Sequence, residues 1–185
     1  MRLLTLFFSL IAPICAAQLH VTSPDGAVKV TVSGGAQLRI SAGFKATQIL
    51  KPSDIAMLIH GSTQNWSIRK TSLQKIDETI VPPVPEKRKS IANHYNELII
   101  KFRSNISLDV RAYNDGFAYR FTSSFKDSIT VDAEVARYSF PSETIFYGSA
   151  VTKRQDADIF HTSFEEPYRS NRWRVSQPIS FSFRR

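Results

Sequence analysis

Cysteine is nearly absent from this sequence of 185 residues, which contains only Cys15. If the amino-terminal leader described below is removed, the remaining chain has no cysteine at all. That excludes a disulfide, a thiol nucleophile and a cysteine-bound metal from the mature chain. Because 42% of the residues are hydrophobic, we expect a globular domain that is held together by its core.

Long hydrophobic runs are also absent, with one short exception at the start. Leu3–Ile14 is apolar, but a membrane span needs about 20 residues. Arg2 precedes this run and Cys15-Ala16-Ala17 follows it, which predicts a signal peptide over residues 1–17, a domain over residues 18–185, and a periplasmic or secreted protein with no membrane contact after cleavage. Lipid attachment at Cys15 is the weaker alternative, because Ala12-Pro13-Ile14 does not have the usual Leu-small-small pattern.

Acidic residues are in the minority, and the excess of basic residues bears on possible partners. Lys and Arg total 24 against 16 Asp and Glu, giving a formal net charge of +8. The basic residues are spread along the chain, with clusters at Lys87–Lys89 and Arg169–Arg185, and no nucleic-acid-binding motif accompanies them. We therefore interpret them as a solvated basic surface and predict no nucleic-acid partner.

Helical periodicity is missing, and short alternating segments take its place. Val28, Val30 and Val32 alternate with polar residues after the turn Pro24-Asp25-Gly26. A second hairpin is predicted around Asn114-Asp115-Gly116, where Gly116 is expected to supply backbone freedom. We expect 43–53 to be a short connection and Val81–Pro85 to be an exposed crossover between two sheets, a rim or docking loop being the alternative. These patterns predict an all-β fold, a large antiparallel β-sandwich, with an incomplete sandwich as the alternative.

Three separated motifs resemble one known family. They are Val21-Thr22-Ser23-Pro24-Asp25-Gly26, then Asn93-His94-Tyr95-Asn96-Glu97-Leu98, then Arg111-Ala112-Tyr113-Asn114-Asp115-Gly116-Phe117-Ala118-Tyr119-Arg120-Phe121. In this order they resemble the amino-terminal domain of glycoside hydrolase family 97. The resemblance implies a β-sandwich that is followed, in the family, by a catalytic (β/α)8 barrel in calcium-dependent, mostly periplasmic enzymes acting on α-glucosides or α-galactosides. We expect this chain to be truncated before the barrel, to bind no calcium alone and to be inactive alone.

The residues themselves do not identify a catalytic centre. Glycoside hydrolysis needs two carboxyl groups across the scissile bond, and no spacing marks such a pair. The four histidines, which are not grouped in the sequence, are His20, His60, His94 and His161. Phe164-Glu165-Glu166-Pro167-Tyr168 resembles a family segment that contributes a calcium ligand, which implies Glu165 as the ligand and Glu166 as the fallback. The alternative for this segment is an exposed acidic turn.

Two further hypotheses remain open at the level of sequence. The chain could act as a stand-alone carbohydrate-binding sandwich that stacks aromatic rings on sugar, or it could dock another protein through its basic carboxy-terminal segment. Trp66 lies at a position typical of a core residue, whereas Trp173, between Arg172 and Arg174, suits an exposed surface. Tyr113, Asn114 and Asp115 are candidates for sugar contact, but turn formation alone explains Asn114 and Asp115.

Overall fold

A computed structural model describes residues 18–84, 88–142, 144–146, 173–174 and 179–184. The predicted signal peptide lies outside these ranges. Every regular element in the described residues is a β-strand, so none of them offers a helix that could cross a membrane. The strands are β1 (Gln18–Thr22), β2 (Val28–Ser33), β3 (Arg39–Phe44), β4 (Thr47–Ile59), β5 (Ser62–Thr63), β6 (Ile68–Ile80), β7 (Ile91–Phe102), β8 (Ile106–Tyr113), β9 (Gly116–Ser123), β10 (Val131–Ser139), β11 (Ile145–Phe146), β12 (Trp173–Arg174) and β13 (Ile179–Arg184).

Two antiparallel sheets form the sandwich. The larger sheet has the strand order β1-β2-β3-β4-β10-β13, with β5 attached to β4, and the smaller sheet has the order β6-β7-β8-β9. Strands β11 and β12 form a separate short pair. Strands β1 and β2 contact strands of the smaller sheet, so the hydrophobic faces of the two sheets meet. The predicted all-β sandwich is confirmed.

The core lies between the facing sheets and follows the alternation of the strands. Val28, Val30 and Val32 of β2 are buried on one side, and Leu108 and Val110 of β8 are buried on the other. Along each of these two strands, every second residue faces the core because successive side chains of a strand point to opposite faces.

Among the described residues, Trp66 is the largest fully buried side chain, and it lies in the loop before β6. Its ring contacts Phe102 edge-on at 5.2 Å between centroids and Phe121 at 5.7 Å. This confirms the interpretation of Trp66 as a core residue and removes it from the surface available to a sugar.

Two expectations about connections are wrong. Residues 43–53 were expected to be loop, but most of them belong to the long strand β4, which pairs with both β3 and β10. Val81–Pro85 was expected to cross between sheets. Its described part, residues 81–84, instead follows β6, whose partner β7 lies in the same sheet, with Ile80 opposite Ile91. The proline-rich segment therefore belongs to a hairpin connection.

The turn glycines differ in whether their backbone φ angle is positive. Gly26 has φ of +74°, as the Pro-Asp-Gly turn predicts, and Gly35 has φ of +129°. The expectation for Gly116 is wrong, because neither it nor Asn114 or Asp115 adopts a positive φ. Tyr113 pairs directly with Gly116, so the hairpin is tight without the left-handed backbone that glycine usually supplies.

The hairpin of β6 and β7 is longer than the rest of its sheet. β8 accompanies β7 only between Asn96 and Lys101, whereas β6 accompanies β7 to Ile91. The pairs from Ile76–Tyr95 to Ile80–Ile91 form a two-stranded extension, which we call the arm. Exposed apolar side chains cluster at its end: Ile80, Val81, Val84 and Ile91.

Candidate interaction site at one end of the sandwich

Two turns that are distant in sequence meet at one end of the sandwich. The backbone N–H of Asp25, in the β1–β2 turn, donates to Oδ1 of Asn114, in the β8–β9 turn, at 3.2 Å. The carboxylate of Asp25 accepts hydrogen bonds from the Ser23 hydroxyl at 2.5 Å and from the Ala27 N–H at 2.9 Å. These bonds hold the pKa of Asp25 below its ordinary value. Asn114 and Asp25 therefore act in turn structure, as turn chemistry predicts.

A small cleft lies beside these turns, at the base of the arm. Its volume is about 180 Å³, and it is lined by Pro24, Lys75, Ile76, Asp77, His94 and Asn96. The Asn96 amide donates to the Thr22 carbonyl at 2.7 Å, which fixes β7 against the end of β1. Asp77 Oδ1 lies 3.0 Å from His94 Nε2. The cleft can donate and accept hydrogen bonds, but it is smaller than the roughly 300–1,000 Å³ of typical ligand pockets and has no aromatic wall.

An ion pair between β7 and β8 lies on the outer face of the smaller sheet. Arg111 Nε donates to Glu97 Oε1 at 2.7 Å, and the Glu97 side chain is only 8% exposed. The guanidinium carbon of Arg111 lies 4.5 Å from the centre of the Tyr95 ring, and that ring lies 5.0 Å from the Tyr113 ring. The hydrogen bond to Glu97 raises the pKa of Arg111 further above its ordinary value, and burial raises the pKa of Tyr95. The Arg111 guanidinium is thus held against both the Glu97 carboxylate and the Tyr95 ring.

A second ion pair follows on the same face. Arg120 Nε donates to Asp109 Oδ2 at 3.0 Å, and the Asp109 side chain is 9% exposed. Glu97 and Asp109 are the buried carboxylates of the described residues, and each accepts a hydrogen bond from an arginine. A glycosidase needs one carboxyl group that can carry a proton and a second that attacks or activates water. Carboxylates that are tied to guanidinium groups in this way suit neither task.

The residues considered as metal ligands do not form a site at this end of the sandwich. Glu165, Glu166 and His161 lie outside the described residues. Within the described ranges, no group of three His, Cys, Asp or Glu side chains could hold a metal ion. His20, His60 and His94 lie on β1, after β4 and on β7, and the fold does not bring them together. The backbone of Trp173 lies in β12, but the position of its side chain is not described.

The fold and this end of it define an all-β sandwich domain whose buried carboxylates serve structure. The chain belongs to glycosyl hydrolase family 97, as its amino-terminal domain: the family model for that domain matches residues 21–181. This confirms the resemblance found in the sequence.

A curated relative and solved structures agree with this assignment. The chain is 35% identical over 180 residues to a retaining α-galactosidase of Bacteroides thetaiotaomicron, covering 90% of this chain and 27% of that protein. A family 97 enzyme of Pseudoalteromonas sp. strain K8, solved with acarbose, has the same fold over 71% of this chain and 22% of its own, with a TM-score of 0.61 and 19% identity. A β-arabinopyranosidase matches with a TM-score of 0.59, 17% identity and coverage of 74% and 24%. The chain thus spans about a quarter of the length of these relatives.

Sequence reasoning missed the two ion pairs of the outer face, although a signal was present. Glu97 and Arg111 fall on the faces of β7 and β8 that point away from the core, and so do Asp109 and Arg120 on β8 and β9. Strand register decides whether opposite charges meet across a sheet. With the register unknown, these residues could be assigned only to a solvated surface.

Proposed function

We propose that this chain is the domain that supports and completes the catalytic (β/α)8 domain of a family 97 glycosidase acting on α-linked galactosides or, as the second substrate class, α-linked glucosides. The observation that supports it is the match to the family's amino-terminal domain over residues 21–181, together with a 35% identical α-galactosidase that is almost four times as long as its match. The hydrolytic carboxylates are supplied by the catalytic domain. The sandwich contributes a surface against which the catalytic domain packs and by which it is held in position.

The first test is the size of the protein in its native cells, measured by immunoblot with antiserum raised to residues 18–185. We expect a band several times larger than the 20.9 kDa of this chain. The same antiserum should precipitate hydrolysis of p-nitrophenyl α-galactoside, with p-nitrophenyl α-glucoside and the β-anomers as comparisons. A band no larger than this chain, or precipitates without α-glycosidase activity, would contradict the proposal.

We also propose that Glu165 supplies one calcium ligand in the whole enzyme, with Glu166 as the alternative. Calcium binds six to eight hard oxygen ligands, so most of the ligands must come from the catalytic domain. The proposal is supported by the resemblance of residues 164–168 to the family segment, and these residues lie within the matched range.

The calcium test compares Glu165→Gln and Glu166→Gln in the native-length enzyme. We expect one of them to remove the rise in melting temperature that calcium produces in the parent enzyme, while the other keeps it and serves as the matched control. If both variants respond to calcium as the parent does, neither glutamate is a ligand.

A further inference from the structure

Strand β6 is a long, exposed sheet edge. It ends the order β6-β7-β8-β9, so in the described part of the chain one side of its backbone has no strand partner. All but two of its thirteen residues are exposed, including Leu73 at 62%. An edge of this length presents a row of backbone donors and acceptors that can pair with another strand.

The charges of β6 are separated by sign along the strand. Arg69 and Lys70 lie near its start, and Asp77 and Glu78 lie near its end. Edge strands that avoid pairing commonly use charge for that purpose, and charges of one sign would make two copies repel. Here an antiparallel second copy would bring the basic start of each strand against the acidic end of the other. A parallel copy would bring like charges together, so the pattern selects the antiparallel arrangement.

Lys70 also has a second lysine as its strand partner within the sheet. Lys70 and Lys101 of β7 are Cα partners in the antiparallel pair, so both side chains start from the outer face of the sheet. Like charges directly opposite each other in a sheet are destabilising. A carboxylate on the free side of Lys70 would neutralise this pair.

We propose that β6 is a self-association edge, at which two copies of this chain pair through antiparallel β6 strands about a two-fold axis. The axis is perpendicular to the sheet, because only then do both copies keep the same face outward. With Gln74 opposite its own copy, Lys70 lies opposite Glu78 of the second copy, twice by symmetry. In the same register Leu73 lies opposite Lys75 of the second copy, whose aliphatic stem can cover it. The two four-stranded sheets would then form one continuous eight-stranded sheet. This proposal does not depend on the proposed enzymatic role.

The test is a charge exchange measured by sedimentation velocity on the full chain. The protein range runs from about 10 µM to about 1 mM, because an interface of one strand lies at the low end of interface sizes. We expect a monomer–dimer equilibrium for the parent chain. Lys70→Glu and Glu78→Lys each create two like-charge contacts in their own homodimers, and each should weaken dimerisation at least tenfold, which is about 1.4 kcal/mol.

Mixing the two variants supplies a control that a folding defect cannot mimic. A heterodimer of K70E with E78K again has a complementary pair at both contacts, so the mixture should dimerise like the parent, and so should the double variant K70E/E78K. Lys126→Glu and Asp127→Lys make the same charge changes at an exposed loop and should have no effect. A parent chain that stays monomeric throughout the range, or dimers that K70E leaves intact, or a mixture that fails to associate, would each overturn the proposal.

Discussion

The motif Arg111–Phe121 is the longest of the three that resemble the family. Removing the guanidinium of Arg111 tests whether this motif stabilises the fold. In the variant Arg111→Met, the Glu97 carboxylate loses its cation while its side chain remains nearly buried, at 8% exposure in the parent. Breaking a buried pair by removing one partner costs about 3–5 kcal/mol. Because the Arg111 side chain is 31% exposed, water can reach part of the vacated space, and we reduce this to about 2–3 kcal/mol. Loss of the contact with the Tyr95 ring adds about 0.5–1 kcal/mol.

The measurement is the free energy of unfolding from urea titrations followed by circular dichroism, in a double-mutant cycle with Glu97→Gln. We expect the double variant to lose about 1–2 kcal/mol less than the sum of the two single variants, since each single variant removes the same interaction. Arg103→Met, which changes an exposed arginine in the turn between β7 and β8, is the matched control and should stay within about 0.5 kcal/mol. If R111M is as stable as R103M, the ion pair does not stabilise the domain and Arg111 is free for a role outside it.

Three further changes probe the core, a close backbone approach and a half-buried pair of hydroxyls. Trp66→Ala should cost about 3–5 kcal/mol in urea unfolding because it empties the space against Phe102, and a loss under about 1 kcal/mol would contradict the packing. Gly34→Ala would place a Cβ 2.7 Å from the Trp66 carbonyl oxygen, and since backbone must move we expect a loss of about 1–3 kcal/mol; an unchanged free energy of unfolding would refute this contact. The hydroxyls of Tyr119 and Tyr138 lie 2.9 Å apart, and burial raises the pKa of Tyr119, so its contribution to stability is complete below the unfolded pKa of about 10 and is lost as the pH rises beyond it. Tyr119→Phe should therefore be less stable than the parent at pH 8, and the difference should narrow above pH 10; a difference that stays constant to pH 11 would contradict the shift.

The sequence identifies the strands of the core better than their lengths and partners. Alternation predicts β2, β8 and β9 closely because both their faces are specified, one by the core and one by solvent. β4 is hidden, since Lys51-Pro52-Ser53 interrupts its pattern. Proline lacks the backbone N–H of a regular ladder, yet here it lies where the pairing of β4 with β3 shifts register. A local irregularity of that kind is invisible before the partner strand is known.

The interaction site is less predictable for a different reason. Its parts lie far apart in sequence, with Asp25 beside Asn114 and Thr22 beside Asn96. Composition and turn chemistry identify each residue as polar and well suited to a turn or strand, but only sheet packing brings them to one end. The calcium candidates could be named from a family resemblance alone, because a ligand set shared between two domains has no signature in one of them.

The structure separates the hairpin motif into residues that the fold explains and residues that it leaves available. Arg111 and Arg120 neutralise buried carboxylates, and Asn114 joins two turns. Tyr113 packs on Tyr95 but keeps part of its surface exposed, and Asp115 is exposed at the tip of the turn. If this end of the sandwich contacts a catalytic domain or its substrate, Asp115 is the exposed residue of the motif that can do so, and Asp115→Asn should alter the assembled enzyme while leaving the stability of the sandwich nearly unchanged.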